Sequence, residues 1–250
     1  MHILLTNDDG LHAPGLLALK QALDPLGQVT VVAPSRNYSA AGHRKTMHKP
    51  LRIDPTHLGD GSTAWSCSGA PSDCVALALL GFVKEKVDVV VSGINPHANL
   101  GQDITYSGTV TAALEAVIAG VAGIAVSTEI GAPPDYAPTA RVAARVVEAV
   151  ARVGFPARTL LNVNVPPHIQ GGWRITRQGR RVYRDALVER RDPRGRPYYW
   201  IGGEAPSGVS DEGTDFWALE AGHVSITPLH LDLTDYNALS GLAQWFASEL

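Results

Sequence analysis

Short apolar runs alternate with longer amphipathic segments along the first two thirds of the chain. The apolar runs predict strands at residues 2–6, 28–33, 87–92, 122–128 and 159–165. The segments between them have apolar residues at helical spacing and predict helices at residues 14–24, 71–83, 108–120 and 137–153. This alternation favours an α/β fold that is Rossmann-like, with a mostly parallel, doubly wound sheet and helices on both faces.

The pattern changes after residues 166–167, which are both proline. Residues 170–220 are rich in Arg, Gly, Tyr and Trp and have no long helical period. Within them, runs at 182–188 and 197–201 flank a turn and predict an extended β-hairpin that leaves the main sheet. A strand at 222–228 and a helix at about 236–249 close the chain.

We therefore expect one α/β domain over residues 1–250, built from three parts. Residues 1–168 form the Rossmann-like core, residues 169–221 form a C-terminal β-hairpin extension, and residues 222–250 supply the last strand and helix. The chain has 250 residues, of which 45% are hydrophobic, and this is enough for one sizeable core.

Charge and cysteine content limit the partners and the cellular compartment that we expect for this protein. The formal net charge of −3 gives no sign of binding to nucleic-acid polymers or anionic membranes. No apolar run reaches the roughly 18 residues of a membrane span, and no signal peptide is recognisable. The spacing of Cys67 and Cys74 does not decide for or against a disulfide, and two buried thiols in a reducing compartment are favoured. These features predict a cytoplasmic protein.

The first predicted strand ends in two adjacent acids, Asp8 and Asp9, followed by Gly10. Ligands of open α/β sheets bind beyond the carboxyl ends of the strands, and these acids occupy such an end. Two neighbouring carboxylates repel each other unless a cation or a shared proton intervenes. Divalent cations such as Mg²⁺ prefer oxygen ligands of this kind, but a solvated turn of Asn, Asp and Gly explains the pattern equally well.

Two further polar loops follow predicted strands. Residues 33–43 supply hydroxyl oxygens that suit a hard cation, but an ordinary capped loop is the favoured interpretation there. In the loop at 91–101, Asn95 offers a neutral carbonyl oxygen, and Asn99 and the glycines suggest close backbone approach to a ligand. A turn with Asn in left-handed conformations is the alternative for that loop.

The fourth polar loop, at residues 106–111, leads into the helix predicted at 108–120. Ser107 is a good N-cap residue, and free backbone N–H groups with the hydroxyls of Ser107 and Thr109 would suit a phosphate. Capping alone also explains Ser107, and the Gly-Lys-Ser/Thr ending of a Walker A loop is absent. His43 and His97 lie in these loops as candidate donors to a phosphate or leaving group, or as solvated side chains.

Several common catalytic motifs are absent from the sequence. No Gly-x-Gly-x-x-Gly follows the first strand, so a dinucleotide site has little support. No Gly-x-Ser-x-Gly elbow is present, which argues against an α/β-hydrolase triad. No His-Glu-x-x-His pair is present, which argues against a zinc protease.

These loops, taken in order, resemble the SurE family of survival-protein nucleotidases. The resemblance includes Thr-Asn-Asp-Asp-Gly at 6–10, Ser-Ala-Ala-Gly at 39–42, Gly-Ala-Pro-Ser-Asp-Cys-Val at 69–75, Ser-Gly-Ile-Asn at 92–95, Asn-Leu-Gly at 99–101 and Tyr-Ser-Gly-Thr at 106–109. Later segments that also resemble the family are Asn-Val-Asn-Val-Pro at 162–166, Glu-Gly-Thr-Asp at 212–215 and Ile-Thr-Pro-Leu at 226–229. The motifs are weak individually but specific as a set that spans nearly the whole chain.

The resemblance implies a metal-dependent phosphomonoesterase that hydrolyses nucleoside 5′-monophosphates and 3′-monophosphates, with exopolyphosphatase activity in some members. It also implies one divalent ion per subunit, Mg²⁺ or Mn²⁺, held by Asp8, Asp9, Ser39 and Asn95. The phosphate-binding residues it implies are Asn99, Ser107, Gly108 and Thr109. This chain departs from the family at 96–98, where Pro-His-Ala stands in a segment that often contains glycine.

The expected reaction is direct attack of metal-activated water on phosphorus, with Asp8 and Asp9 as the catalytic acids. Asp9 is the favoured acid/base assistant, and a covalent aspartyl-phosphate is the less favoured route. The resemblance also implies a homodimer or homotetramer that associates through the Arg-rich hairpin. The alternative function is a non-catalytic, receiver-like domain that binds Mg²⁺ and accepts phosphate, although such domains are much shorter. Asp8 and Asp9 lack the Asp-x-Asp spacing of aspartyl-nucleophile phosphatases.

Overall fold

The computed structural model describes residues 1–203 and 207–247. Its strands are β1 (His2–Thr6), β2 (Gln28–Pro34), β3 (Ile53–His57), β4 (Thr63–Cys67), β5 (Val89–Asn95), β6 (Ala122–Thr128), β7 (Thr159–Val165), β8 (Trp173–Ile175), β9 (Arg180–Val182), β10 (Asp185–Arg191), β11 (Pro197–Gly203), β12 (Ser207–Val209) and β13 (Val224–His230). Its α-helices are α1 (Pro14–Leu23), α2 (Pro71–Leu77), α3 (Gly108–Ile118), α4 (Ala137–Val153), α5 (Asp215–Glu220) and α6 (Leu239–Ala247).

The main sheet of the described residues has nine strands in the order β3-β4-β2-β1-β5-β6-β7-β13-β8. The strands from β4 to β7 in this order are parallel. β3 pairs antiparallel with β4, and β13 pairs antiparallel with β7 but parallel with β8. A mostly parallel sheet with helices between its strands confirms the predicted Rossmann-like α/β class.

Both faces of the sheet are covered, which explains why β1 is apolar without alternation. Leu5 belongs to a core cluster with residues of α1 and α4, including Leu16 and Val146. The adjacent Leu4 points to the opposite cluster, which contains Val75 of α2 and residues of α3. Side chains of consecutive strand residues alternate between faces, so each face of β1 contributes to a separate buried layer.

The helix starts follow local sequence signals. Pro14 and Pro71 occupy the first positions of α1 and α2, where a missing backbone N–H is tolerated. Ser107 caps α3, because its side chain accepts a hydrogen bond from the Val110 backbone N–H. The helix predicted at 71–83 is interrupted: α2 ends at Leu77 and continues as a wider helical turn that contains Gly81 at φ 118°.

Three short strands of the main sheet were not predicted. β3 and β4 form its polar edge, and Pro55 within β3 argues against a strand by sequence alone. β8 lies inside the hairpin region predicted at 169–221, but it pairs with β13 in the main sheet. The predicted hairpin is present as β10 and β11, and the division of the domain into three parts stays a prediction.

Two other expectations concern cysteines and membranes. Cys67 and Cys74 are both buried and free in the structure. Within the described residues, no helix is long and apolar enough to cross a membrane. The C-terminal helix begins at Leu239 rather than at 236, and the last three positions of the chain lie outside the described residues.

Candidate active site

The polar loops meet where the order of the strands reverses. From β1 the chain moves to β2 on one side, and it later returns to β5 on the other side of β1. In doubly wound sheets this switch point opens a crevice beyond the carboxyl ends of the strands. Residues 7–10 follow β1, residues 35–52 follow β2, and residues 96–100 follow β5, so all three loops border that crevice.

Asp8 is the buried centre of this region, with only 4% of its surface exposed. The Thr109 hydroxyl, in the first turn of α3, donates a 2.5 Å hydrogen bond to Asp8 Oδ1. Burial raises the pKa of Asp8, and the hydrogen bond from Thr109 opposes this effect. The helix can approach so closely because a Cβ at Gly108 would lie 2.7 Å from the Asp8 Cβ.

Asp9 is only partly buried, but its carboxyl is also poorly solvated. Burial raises the pKa of Asp9 to about 6, repulsion from Asp8 adds to the increase, and His97 opposes it. The pKa of the Tyr136 hydroxyl is raised by burial and then by the Asp9 charge, which indicates that Tyr136 lies near Asp9. Two close carboxyls with raised pKa values are a site where a cation would be stabilising.

The donor set limits how a metal could be held. Within the described part of the chain, no three His, Cys, Asp or Glu side chains are grouped so that they could hold a metal ion. An ion at Asp8 and Asp9 would therefore need neutral oxygens from neighbouring loops. Hydroxyl and amide oxygens are of the hard type that Mg²⁺ and Mn²⁺ accept. The residues present fit such an ion by their chemistry.

The loop after β2 lies across the acid pair. The Tyr38 backbone N–H donates to the Asp8 carbonyl oxygen at 2.7 Å. Gly10 has φ 100°, and a Cβ there would lie 3.1 Å from the Arg36 carbonyl carbon, so the two loops are in close contact. Ser39 is the next residue after Tyr38, and its side chain is exposed. Ser39 thus directly follows a residue that is hydrogen-bonded to the Asp8 backbone.

The loop after β5 contributes the two predicted asparagines. Asn95 is the last residue of β5, and its Nδ2 donates to the His97 carbonyl oxygen at 2.5 Å, which leaves Oδ1 out of that bond. Asn99 is buried, and its Nδ2 donates to Ser127 Oγ at 2.7 Å. The Pro-His-Ala segment at 96–98 is anchored through Ala98, whose N–H donates to Glu129 Oε1 at 3.0 Å.

Two asparagines of β7 hold the Asn99 backbone. Asn164 Oδ1 accepts the Asn99 N–H at 2.8 Å, and its Nδ2 donates to the Asn99 carbonyl at 3.1 Å. Asn162 Nδ2 donates to the same carbonyl at 2.9 Å. These residues were not predicted as site residues, although polar side chains in an otherwise apolar buried strand are a usable signal.

Asp215 is a second anchor that the sequence analysis did not assign. Its carboxylate accepts hydrogen bonds from the backbone N–H groups of Gly101, at 2.8 Å, and Gly179, at 2.7 Å. Burial raises the pKa of Asp215, and the backbone hydrogen bonds oppose this effect. Asp215 therefore joins the segment after Asn99 to the start of the hairpin region.

Unmet hydrogen-bonding capacity lies beside the acids. Asn7 Oδ1 and Ser92 Oγ are buried and have no hydrogen-bond partner among the described residues. The Asn7 amide nitrogen is engaged, because it donates to the Gly10 carbonyl at 3.0 Å. Buried polar atoms are nearly always paired in folded proteins, so the unpaired oxygen of Asn7, the residue before Asp8, suits a site that takes a polar ligand.

The predicted site residues fall into two groups in the structure. It brings Gly108 and Thr109 into direct contact with Asp8. The remaining residues lie at the same edge of the sheet, Asn95 at the end of β5 and the others in loops, and their ligand roles stay predictions: Asp9, Ser39, Asn95, Asn99 and Ser107.

Comparisons with known proteins agree on one family. The family model described as "Survival protein SurE" matches residues 3–185. The "5'-nucleotidase SurE" of Herpetosiphon aurantiacus is 52% identical over 248 residues, covering 97% of each chain. That of Chloroflexus aggregans is 49% identical over 250 residues, covering 98% of this chain and 99% of the relative. The crystal structure of the SurE protein from Aquifex aeolicus is similar with a TM-score of 0.83 and 40% identity, covering 98% of this chain and 99% of that chain.

Proposed function

This chain belongs to the SurE family, and from that premise we propose that it is a nucleotidase that hydrolyses nucleoside 5′-monophosphates to a nucleoside and phosphate. The observation that carries the proposal is the 2.5 Å hydrogen bond between Thr109 and the buried Asp8. It sets an acid pair against a helix N-terminus at the switch point of the sheet, where an anionic ligand and a cation can be bound side by side. The names of the relatives support the nucleotide as substrate.

The proposed metal site consists of Asp8, Asp9, Ser39 and Asn95, with one Mg²⁺ or Mn²⁺ per subunit. Its chemistry fits, because two poorly solvated carboxyls are supplemented by one hydroxyl and one amide oxygen. An ion held there would neutralise charge on the phosphate and lower the pKa of a bound water molecule.

The proposed phosphate site consists of Asn99, Ser107, Gly108 and Thr109. The Ser107 oxygen already accepts from Val110, so its own O–H is the donor that remains for a phosphate. Asn99 Nδ2 carries two hydrogens and uses one for Ser127. The Thr109 hydroxyl is committed to Asp8, so Thr109 would meet the phosphate through its backbone N–H.

Asp9 is the proposed acid/base group. The pKa of about 6 is that of the site without an ion, and a bound cation would lower it, so the assignment rests on the partly exposed position of Asp9 next to Asp8. Asp9 would take a proton from the attacking water and return it to the departing oxygen. The water oxygen forms a bond to phosphorus while the bond to the ribose oxygen breaks, and the departing oxygen takes up a proton. Most of the acceleration in such a reaction comes from positioning and charge stabilisation, which the buried Asp8 and the start of α3 supply.

Further parts of the proposal concern range, assembly and location. We also propose that the protein hydrolyses nucleoside 3′-monophosphates and acts as an exopolyphosphatase on polyphosphate. Its proposed location is the cytoplasm. We also propose a homodimer or homotetramer, because the hairpin exposes Leu187, Trp200 and Ile201 to 72%, 63% and 85%. Exposed apolar side chains clustered on one extension are typical of an association surface.

The test is a panel of metals and substrates on the purified protein. We expect phosphate release from nucleoside 5′-monophosphates with Mg²⁺ or Mn²⁺, loss of that release with EDTA, and recovery when metal is returned. Asp8→Asn and Asp9→Asn should each lose most turnover and keep the fold, because either change relieves repulsion between two close carboxyls. Asp24→Asn is the matched control, since Asp24 pairs with Lys20 on α1.

The opposing outcomes are distinct. Full activity in Asp8→Asn would contradict the site, and activity that is indifferent to EDTA would contradict the metal. A protein that takes up one phosphate and never turns over would favour the receiver-like alternative. A phosphorylated aspartate trapped by rapid quench would replace direct attack by water with a covalent route.

A further inference from the structure

The segment between β2 and β3 is the least regular part of the site. Residues 35–52 contain no helix or strand, although Ser39 must be held in place if it is to serve the acid pair. A segment without secondary structure keeps one conformation only if its backbone and side chains are bonded elsewhere. The bonds that fix this segment beyond Ser39 therefore decide how well Ser39 is positioned.

Glu115 of α3 supplies two of these bonds, both to side chains that can carry a positive charge. Its side chain is 7% exposed, and each carboxylate oxygen is engaged by a different residue of the segment. His43 Nε2 lies 2.9 Å from Oε2, and Lys45 Nζ donates to Oε1 at 2.9 Å. The hydrogen bond with His43 is the main reason that the pKa of Glu115 is lowered, and Lys45 contributes further.

The backbone adds two contacts at the same place. The Gly42 N–H donates to the Tyr106 carbonyl at 3.0 Å. The Thr111 hydroxyl lies 3.1 Å from the Gly42 carbonyl and 2.8 Å from the Ser107 carbonyl, between which its single proton is shared. Glu115 and Thr111 are one helical turn apart, so one face of α3 holds residues 42–45. The N-terminus of the same helix contacts Asp8, which means that α3 connects both loops of the site.

We propose that Glu115 is a positioning residue, which clamps His43 and Lys45 so that Ser39 stays beside Asp8 and Asp9. The inference rests on the proposed function, because it assigns Ser39 to the metal site. The Glu115 side chain is nearly buried, so losing His43 and Lys45 would leave a buried charge unpaired, and this cost keeps the clamp closed. Glu115 would thus act through the position of Ser39 without touching substrate.

The variant Glu115→Gln tests the clamp with little change of shape. The amide carries no charge, so the contacts with His43 and Lys45 both lose their ionic component. Its oxygen can still accept from Lys45, but its NH₂ group can bond His43 only when the neutral ring presents Nε2 as an acceptor. Hydrogen exchange should become faster at residues 39–45, while the amides of α3 stay protected. The dissociation constant for Mn²⁺, measured by calorimetry, should rise about tenfold, as for other residues that orient ligands. At saturating metal, kcat should stay within about twofold of the wild-type value, because the clamp changes metal affinity and leaves the reacting groups in place.

Two controls separate positioning from general stability. Asp24→Asn removes the 2.8 Å ion pair between Asp24 and Lys20 of α1. This change lies outside residues 35–52, so Mn²⁺ affinity should stay unchanged. His43→Asn combined with Glu115→Gln should cost no more Mn²⁺ affinity than Glu115→Gln alone, because both changes open one clamp. A double variant that binds Mn²⁺ more weakly than Glu115→Gln alone would overturn the shared role of the two residues.

The outcomes also distinguish this inference from the proposed function. Unchanged exchange at residues 39–45 in Glu115→Gln would overturn the clamp. Faster exchange with wild-type Mn²⁺ affinity would overturn positioning and leave the nucleotidase assignment intact. Wild-type protein that releases no phosphate and binds no Mn²⁺ would overturn the proposed function, and the role of the clamp with it.

Discussion

The Thr109 hydroxyl donates a 2.5 Å hydrogen bond to Asp8 Oδ1, although the two residues are separated by 101 positions in the sequence. Both residues are buried, Thr109 completely and Asp8 to all but 4% of its surface. The bond therefore fixes the acid after β1 against the first turn of α3 inside a region of low polarity, where hydrogen bonds to charged groups are strong.

Removing the Thr109 hydroxyl should lower both stability and activity. Thr109→Val keeps the shape of the side chain but leaves the Asp8 carboxylate without its donor, which should cost about 1.5–3 kcal/mol of unfolding free energy. Thr109→Ser keeps the hydroxyl and should retain most of the activity. Chemical denaturation of each variant measures the loss of stability, and phosphate release measures the loss of activity. Equal activity in Thr109→Val and wild type would contradict a role for the bond.

Gly108→Ala should displace Asp8. The new methyl group would lie 2.7 Å from the Asp8 Cβ and 2.9 Å from Oδ2, which is closer than side-chain atoms approach each other. The crowding should reduce kcat/KM for a nucleoside monophosphate about tenfold or more, as displacements near 1 Å do at reacting centres.

Gly131→Ala is the matched control for Gly108→Ala, because a Cβ at Gly131 meets no atom within 4 Å. It should leave activity unchanged. If both alanine variants keep wild-type kcat/KM, the close approach of α3 to Asp8 has no bearing on the reaction.

Asn164→Leu should disturb the predicted phosphate site from a distance. The substitution removes the acceptor of the Asn99 N–H and leaves that buried group unpaired, at a cost of about 1–3 kcal/mol. Asn162→Leu should cost less, since the Asn99 carbonyl keeps its bond from Asn164 and the unpaired Asn162 Oδ1 disappears. Thermal unfolding ranks the two variants, and the same order in KM would link Asn99 to substrate binding. The reverse order would argue against this account of the anchor.

The sequence predicted those strands whose apolar runs are buried on both faces. β1, β6 and β7 have the predicted bounds, because strands covered on both faces are largely apolar, and β7 departs from this only at Asn162 and Asn164 among its inner residues. β3 was missed for the opposite reason: it is short, largely polar, contains Pro55, and exists because it pairs with β4. Such an edge strand depends on a long-range partner, which local periodicity does not encode.

From the sequence, the candidate site could be predicted only where its residues are close together in the chain. Asp8 and Asp9 are adjacent in the chain, and the capping role of Ser107 follows from its position before α3. The contacts of Glu115 with His43 and Lys45 join positions 72 and 70 residues apart, and no local pattern indicates them. The residues alone left Ser39 and Asn95 open between ligand and turn, and family resemblance assigned both to the metal, since single hydroxyl and amide side chains are common in ordinary turns.

Glu115 should also make part of the stability dependent on pH. The pKa of Glu115 is lowered from 4.5 in the folded protein, chiefly by the hydrogen bond with His43, so the folded state favours the ionised form. An acid with a depressed folded pKa contributes stability above its unfolded value, and that contribution is lost as pH falls through the folded pKa. Wild type should therefore exceed Glu115→Gln in unfolding free energy by about 1–3 kcal/mol at pH 7. The difference should shrink steadily once the pH falls below 4.5, where the unfolded chain starts to bind the proton first. Urea denaturation of both proteins across this pH range measures the difference in unfolding free energy directly. If that difference stays constant from pH 7 to strongly acidic solution, Glu115 is not stabilised as an anion by its two partners.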